Sequence, residues 1–216
     1  MKWCRLAAER GDADAQNYLG YWYFTGQAVE KNYEEAVKWY RLAAEQGHSV
    51  AQELLGDCYY YGRGVKQSCE EAVKWFQLSA EQGSAFAKYK LGRCYSDGRG
   101  VERNFAEALK WYRLAAEQGH EMAQSNLGYC YDHGKGVEKN YGEAVKWYRL
   151  AAEQGNRFAQ ESLAYCYYHG QGVEKNYEES FRHFVCCILL TVFTFCPPTK
   201  LVPHFYVTPV LRDGIR

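Results

Sequence analysis

Three sets of residues in this chain have the types that chemistry uses. Gly134-Lys135-Gly136 could cradle a phosphate, His133 and His169 could ligate a metal, and Cys58, Cys94, Cys130 and Cys166 could pair into disulfides. Each set fails a spacing requirement. A Walker loop needs G-x-x-x-x-G-K-[ST], whereas Gly128 stands six residues before Gly134 and Gly136 replaces the hydroxyl residue. Gly-x-Gly also recurs at 62/64, 98/100 and 170/172, which marks a repeated turn. His133 and His169 lie 36 residues apart with no Cys-x-x-Cys or His-x-x-x-His beside them, and a zinc site needs three or four convergent ligands. They read as surface or groove histidines. No Ser/His/Asp or Cys/His arrangement stands apart from the repeat, so no catalytic residue, metal or cofactor is predicted, and the chain is read as a non-enzyme.

The elements behind these residues form an array. Trp3, Trp39, Trp75, Trp111 and Trp147 fall 36 residues apart; Leu19, Leu55, Leu91, Leu127 and Leu163 keep the same step, as do Tyr23, Tyr59, Tyr95, Tyr131 and Tyr167. A fixed period in this range marks a solenoid. Each unit divides into two helices. Ala123, Leu127 and Tyr131, four apart, form one stripe of a first helix. The apolar positions 108, 109, 112, 115 and 116 give the second. First helices are predicted at about 13–25, 49–61, 84–97, 120–133 and 156–169. Second helices are predicted at about 32–46, 68–82, 104–118 and 140–154, with a fifth beginning at 176.

Asn32/Glu35, Ser68/Glu71, Asn104/Glu107, Asn140/Glu143 and Asn176/Glu179 have the spacing of a capping box. Gly47, Gly83, Gly119 and Gly155 follow the last apolar turn, where a left-handed residue is favoured. Glu34/Lys38, Glu70/Lys74 and Glu178/Arg182 are expected as i,i+4 pairs on a solvated face. The glycines at 20, 56, 92 and 128 lie inside a helix, at a cost of about 1 kcal/mol each relative to alanine. Close helix–helix contact is the expected reason.

The pattern Ala-x-x-x-Leu-Gly-x-x-Tyr-x-x-Gly-x-Gly-Val, then Ala-x-x-Trp-Tyr-x-x-Ala-Ala-x-x-Gly, resembles the Sel-one-like repeat (SLR), a relative of the tetratricopeptide repeat. The resemblance covers residues 1 to about 184: a half unit at 1–11, then five units. Departures are Ala28, Ser79, Ala164, Ser180 and His183. It implies an all-α, α/α solenoid, a right-handed superhelix of antiparallel helix pairs, acting as a scaffold or adaptor for proteins or peptides. A cysteine-rich secreted branch of the family pairs two cysteines per repeat and is described as binding or hydrolysing β-lactams. Here one cysteine position recurs and no Ser-x-x-Lys occurs. Equivalent positions in stacked units lie about 10 Å apart, beyond the Cα reach of about 7 Å for a disulfide. The four cysteines are therefore expected as small buried thiols.

The first helices should line the concave side. Positions two, six and nine after the consensus Ala point away from the buried stripe. They read Asn17, Tyr21, Phe24; Glu53, Asp57, Tyr60; Tyr89, Arg93, Ser96; Ser125, Tyr129, Asp132; Glu161, Tyr165, Tyr168. These vary between units while the consensus barely changes, and aromatic residues with Arg favour protein recognition. A partner peptide with a basic residue and apolar anchors is the expected match to the acids of this face. A purely structural fragment of a longer array is the other reading.

Net charge is zero, with 26 basic and 26 acidic residues, which argues against nucleic acid or an anionic membrane. The start is polar and lacks a signal-peptide pattern, and the nine cysteines are an odd number. Both fit a reducing cytoplasm, with a secreted effector left open. The chain opens in the middle of a second helix, so self-association through uncapped ends is a further expectation. After Phe184 the pattern breaks, and all four prolines fall in 185–216. Three readings stand for this tail: a helical continuation covering the array's end, a junction artefact such as a frameshift, or a membrane anchor.

Overall fold

The computed structural model of the 216-residue chain describes residues 2–185. Every regular element among them is a helix. In chain order these are α1 (Lys2–Glu9), α2 (Ala13–Thr25), α3 (Tyr33–Glu45), α4 (Ser49–Tyr61), α5 (Cys69–Glu81) and α6 (Ala85–Asp97). They continue as α7 (Phe105–Ala116), α8 (Glu121–His133), α9 (Tyr141–Glu153) and α10 (Arg157–His169), then α11 at 177–185. The bounds agree with those read from the apolar period to within a residue or two, the usual ambiguity of helix ends. The three readings of the tail concern residues outside those described. Among the described residues no helix is long and apolar enough to cross a membrane.

Each helix packs on its chain neighbours: α2 on α3, α3 on α4, and so along the array. The core is correspondingly divided. One cluster joins Ala36, Val37, Tyr40, Ala43 and Ala44 of α3 to Ala51, Leu55 and Cys58 of α4. Equivalent clusters recur between α5 and α6, α7 and α8, and α9 and α10. Each therefore sits where the second helix of one unit meets the first helix of the next, as expected of a chain whose units stabilise their neighbours. Cys58, Cys94, Cys130 and Cys166 lie in these clusters as free thiols. Burial pushes Cys58 and Cys94 up to about 12, and Cys130 and Cys166 up to about 11.

The glycines inside the first helices have the expected cause. A Cβ at Gly20 would lie 2.6 Å from the Tyr40 ring, and one at Gly56 would lie 2.6 Å from Phe76. At Gly92 and Gly128 it would lie 2.5 and 2.6 Å from Tyr112 and Tyr148. In the fifth unit Ala164 takes this position, and the residue at the corresponding ring position, Phe184, remains half exposed. The second glycine of each turn makes another close approach. Gly64, Gly100, Gly136 and Gly172 have positive φ, and each presses on a backbone carbonyl at the start of the second helix one unit back.

Two expectations about side-chain pairing are corrected. In the capping boxes Asn32, Ser68, Asn104, Asn140 and Asn176 do accept from the third residue's N–H. The glutamates, however, do not reach back. The cap residue's own N–H donates to the carbonyl of Tyr23, Tyr59, Tyr95, Tyr131 or Tyr167, so no donor is left for the carboxylate. Glu35, Glu71, Glu107, Glu143 and Glu179 instead take the cation three residues on: Lys38, Lys74, Lys110, Lys146 and Arg182. These i,i+3 pairs replace the predicted i,i+4 pairs of Glu34, Glu70 and Glu178. The consensus tyrosines also accept through their hydroxyls, from Arg5, Arg41, Arg113 and Arg149 of the preceding second helix. One tyrosine thus holds the cap after it and the helix before it.

The first helices are capped by Asp12, His48, Ser84, His120 and Asn156. His48 and His120 accept an N–H through Nδ1, which requires a neutral ring. The His120 ring also stacks on Tyr89 with centroids 4.7 Å apart.

Two predictions follow from this packing. Gly92→Ala should destabilise the chain by about 1–3 kcal/mol through overpacking. Gly142→Ala should stabilise it by about 0.5 kcal/mol, since a Cβ there meets only Asn140 Oδ1 at 3.4 Å. Urea denaturation of both variants checks the contrast. The second prediction concerns acid. Burial holds His120 below its ordinary pKa, so the unfolded chain takes up the proton first. Its contribution is complete above about pH 6.5 and is lost as the pH falls through the depressed folded value. His120→Asn keeps a capping acceptor, as Asn156 does, and should reduce the loss of melting temperature on acidification.

Candidate functional site

The expected partner-binding residues all lie on the first helices α2, α4, α6, α8 and α10. Their environments divide into three groups, which the repeat position explains. Three of the residues nine after the consensus Ala meet the ring sixteen residues further on. Ser96 Oγ accepts from the Tyr112 hydroxyl at 3.3 Å, and Asp132 accepts from Tyr148 at 3.4 Å. Phe24 packs near Tyr40 with centroids 6.3 Å apart and can accept nothing, so the buried Tyr40 hydroxyl has no partner among the described residues. Tyr60 shares a core cluster with Phe76, which has no hydroxyl. At Ser96 and Asp132 the variable residue thus answers to the chain's own ring. Tyr60 is buried, with its hydroxyl accepting from Arg99 at 3.1 Å. Tyr168 is the exposed member, at 55%.

The residues two after the Ala are also partly spent inside the chain. Tyr89 and Ser125 are buried, as is the Asn17 side-chain oxygen, so these sites offer little of the contact surface the sequence assigned to them. Glu53 accepts from the hydroxyls of Ser79 and Ser84, and burial raises its pKa. Glu161 pairs with Arg157 at 2.9 Å.

The residues six after the Ala are Tyr21, Asp57, Arg93, Tyr129 and Tyr165. Asp57 binds the buried Lys90 ammonium at 2.7 Å. That ammonium also lies over the rings of Phe86, Tyr61 and Tyr60, at 4.8, 5.0 and 5.7 Å. Tyr21 is exposed, as are Tyr129 and Tyr165, at 37% and 54%. Arg93 meets Asp97 only at 4.0 Å. The acids of this face are thus occupied within the chain, which removes the basis for expecting a basic peptide.

Three clefts adjoin along the C-terminal half of this face. One of about 250 Å³ is lined by Arg93, Ser96, Tyr129, Lys135 and their neighbours. A second of about 400 Å³ includes Asp132, His133, Glu161 and Tyr165. A third of about 470 Å³ is walled by Tyr165, Tyr168, Tyr177, Phe181 and Phe184. Glu161 and Tyr165 belong to both the second and the third. Seven of the fifteen sequence-chosen residues line these clefts. The sequence reading missed Asn126, Lys135 and Tyr177 as lining residues. The middle residue of the Gly-x-Gly turn was the available signal. It reads Arg63, Arg99, Lys135 and Gln171 in successive units, varying like the helix positions beside it. Among the described residues no group of three or more His, Cys, Asp or Glu could hold a metal.

Comparisons with known proteins agree with this geometry. The family model described as "Sel1 repeat" matches residues 1–12, 13–48, 49–84, 85–120, 121–156 and 157–185. The chain is 42% identical to c5321 over 88% of its own length, with a TM-score of 0.85. That structure is described as a protective antigen present in uropathogenic Escherichia coli strains and displaying an SLR fold, and this chain spans 41% of it. A Sel1 repeat protein from Oxalobacter formigenes is 40% identical, with a TM-score of 0.78, over 83% of this chain and 74% of that one. A putative Sel1 repeat protein from Klebsiella pneumoniae shares the fold at 22% identity, with a TM-score of 0.56, over 87% of this chain and 91% of that one. No curated protein matches the sequence.

The unpartnered hydroxyl supplies a stability prediction. Tyr40→Phe should stabilise the chain by about 1 kcal/mol, the cost of a buried polar group without a partner. Tyr112→Phe, which removes a satisfied hydroxyl and leaves Ser96, should not. Thermal denaturation of the two variants measures the difference.

Proposed function

The chain belongs to the Sel1 repeat family, and we propose that it is a non-enzymatic scaffold that holds a protein or peptide on the concave side formed by its first helices. Proteins of this family are commonly protein-interaction scaffolds. The observation that carries the reading is the row Tyr129, Tyr165 and Tyr168. These are exposed aromatic side chains on successive first helices, lining clefts that adjoin one another. Tyrosine gives a large contact area with few torsions to freeze and a polar tip, the profile of an interface anchor. The rings are also partly fixed before any partner arrives: Tyr129 stacks on His133 with centroids 4.1 Å apart, and Tyr165 lies 4.2 Å from His169. Pre-ordering lowers the entropic cost of association.

A catalytic reading of the β-lactam type finds less support. The recurring thiols are buried and held well above their ordinary pKa, which makes them poor nucleophiles.

The test is affinity capture with the full chain, comparing wild type with Tyr129→Ala/Tyr165→Ala/Tyr168→Ala and with Lys110→Ala on the second helix α7. The expected result is a specific partner whose affinity falls at least about tenfold in the triple variant and holds in the Lys110 control. Retention by the triple variant, with its circular dichroism unchanged, would place the binding surface elsewhere.

A further inference from the structure

We propose that the cleft between the third and fourth units receives a carboxylate side chain, Asp or Glu, of the bound peptide; this rests on the concave-face reading above and names the chemistry of one subsite. The position six after the consensus Ala and the turn residue 42 further on come together here. Arg93 and Lys135 both line the 250 Å³ cleft. At the equivalent pairs the residues are Tyr21 with Arg63, Asp57 with Arg99, and Tyr129 with Gln171. Only the Arg93 junction has a cation at both positions.

At the junction before it the charges are consumed: Arg99 donates to the Tyr60 hydroxyl, and Asp57 is held by Lys90. Arg63 lies over the Phe24 and Tyr61 rings, but its pair position is Tyr21 and brings no second cation. At the Arg93 junction the guanidinium makes no hydrogen bond to another described residue, and its one ion-pair contact, to Asp97, is 4.0 Å long. The Lys135 ammonium makes no hydrogen bond or ion pair to another described residue and lies 5.3 Å from the centre of the Phe105 ring. Asn126 and Tyr129 line the same cleft, and neither side chain hydrogen-bonds to another described residue. A carboxylate seated between them would gain a guanidinium fork, an ammonium and neutral donors, the set that gives short charge-assisted bonds.

The charge balance selects a monoanion. Arg93 and Lys135 contribute two positive charges and Asp97 one negative, all lining the cleft, so its net charge is a single positive. A dianionic phosphate would be left half compensated beside Asp97. The apolar walls suit what flanks the acid. Phe105 and Tyr112 line the cleft, and Tyr129 leads towards Phe158, with centroids 6.2 Å apart. The ligand is then an acidic residue followed by aromatic or aliphatic ones, opposite in charge to what the acids of this face suggest in the sequence.

The experiment uses the full chain and a phage-displayed library of random short peptides. Peptides enriched on the wild type are resynthesised with the acidic residue as Glu, Gln or phosphoserine, and binding is followed by fluorescence anisotropy. The expected result is enrichment of Asp or Glu, and an affinity loss of about tenfold or more on Glu→Gln. Arg93→Gln/Lys135→Gln should erase the preference for Glu over Gln while apolar binding persists. Asp97→Asn should strengthen the Glu peptide and leave the Gln peptide unchanged, a sign that a merely structural role for Arg93 would not produce. Melting curves confirm that each variant folds. Peptides enriched without an acidic residue, yet lost in Tyr129→Ala/Tyr165→Ala/Tyr168→Ala, would overturn the carboxylate subsite and keep the concave-face reading. Phosphoserine binding more than about tenfold tighter than Glu would overturn the monoanion assignment. No enrichment over an unrelated protein would overturn both readings.

Discussion

The separation between the two helices of a unit rests on one contact, a glycine of the first helix against an aromatic ring of the second. At Gly20, Gly56, Gly92 and Gly128 there is no room for a methyl group between backbone and ring. The helices therefore approach as closely as a ring's thickness permits, and the ring is seated with almost no freedom. The rest of the unit inherits this constraint. Leu19, Leu55, Leu91, Leu127 and Leu163 become fully buried, and the consensus tyrosine's carbonyl comes within reach of the next cap. Glycine in a helix interior costs about 1 kcal/mol in propensity, and its recurrence shows that the packing it permits offsets that cost. Where alanine replaces it, at Ala164, the corresponding ring, Phe184, is half exposed.

The seated ring then dictates what may stand beside it. Tyr112 and Tyr148 bring a hydroxyl into the packed layer, and the facing residues, Ser96 and Asp132, are ones that can accept from it. Phe76 brings none and shares its cluster with Tyr60, while Tyr40 packs near Phe24 and is left unsatisfied. A buried polar group needs a partner, so at Ser96 and Asp132 the face residue is bound to the ring of the helix behind it, whereas at Phe24 it is not. Variable residues in a repeat are therefore of two kinds: those that answer to the chain's own interior and those that answer to nothing within it.

That distinction explains how much the sequence could show. A 36-residue period in Trp, Leu and Tyr is enough to place every helix and the divided core, because units that stack alike need like residues at their contacts. The family was legible for the same reason. The side-chain partners were less so. Glu35 was a reasonable capping-box member until the carbonyl of Tyr23 took the N–H it would have bonded, a contact between separate helices that no spacing within one helix reveals. The face was read by angle alone, and angle cannot show that the turn of the next unit covers Tyr60 through Arg99. Nor can it show that Asp57 is spent on Lys90 across a unit boundary.

Overall neutrality hides this same accounting. Equal numbers of acids and bases suggest a surface without electrostatic character, yet charges paired within the array contribute little to what a partner meets. Along the second helices each first-turn glutamate holds the cation three residues on. On the first helices the acids turn to serines, a lysine, a tyrosine hydroxyl or a neighbouring arginine. What remains for recognition is set by which groups lack a strong internal partner, and at the junction of the third and fourth units those are cations. A repeat array can thus be neutral in total and still present a local field, because its consensus positions cancel and its variable positions need not.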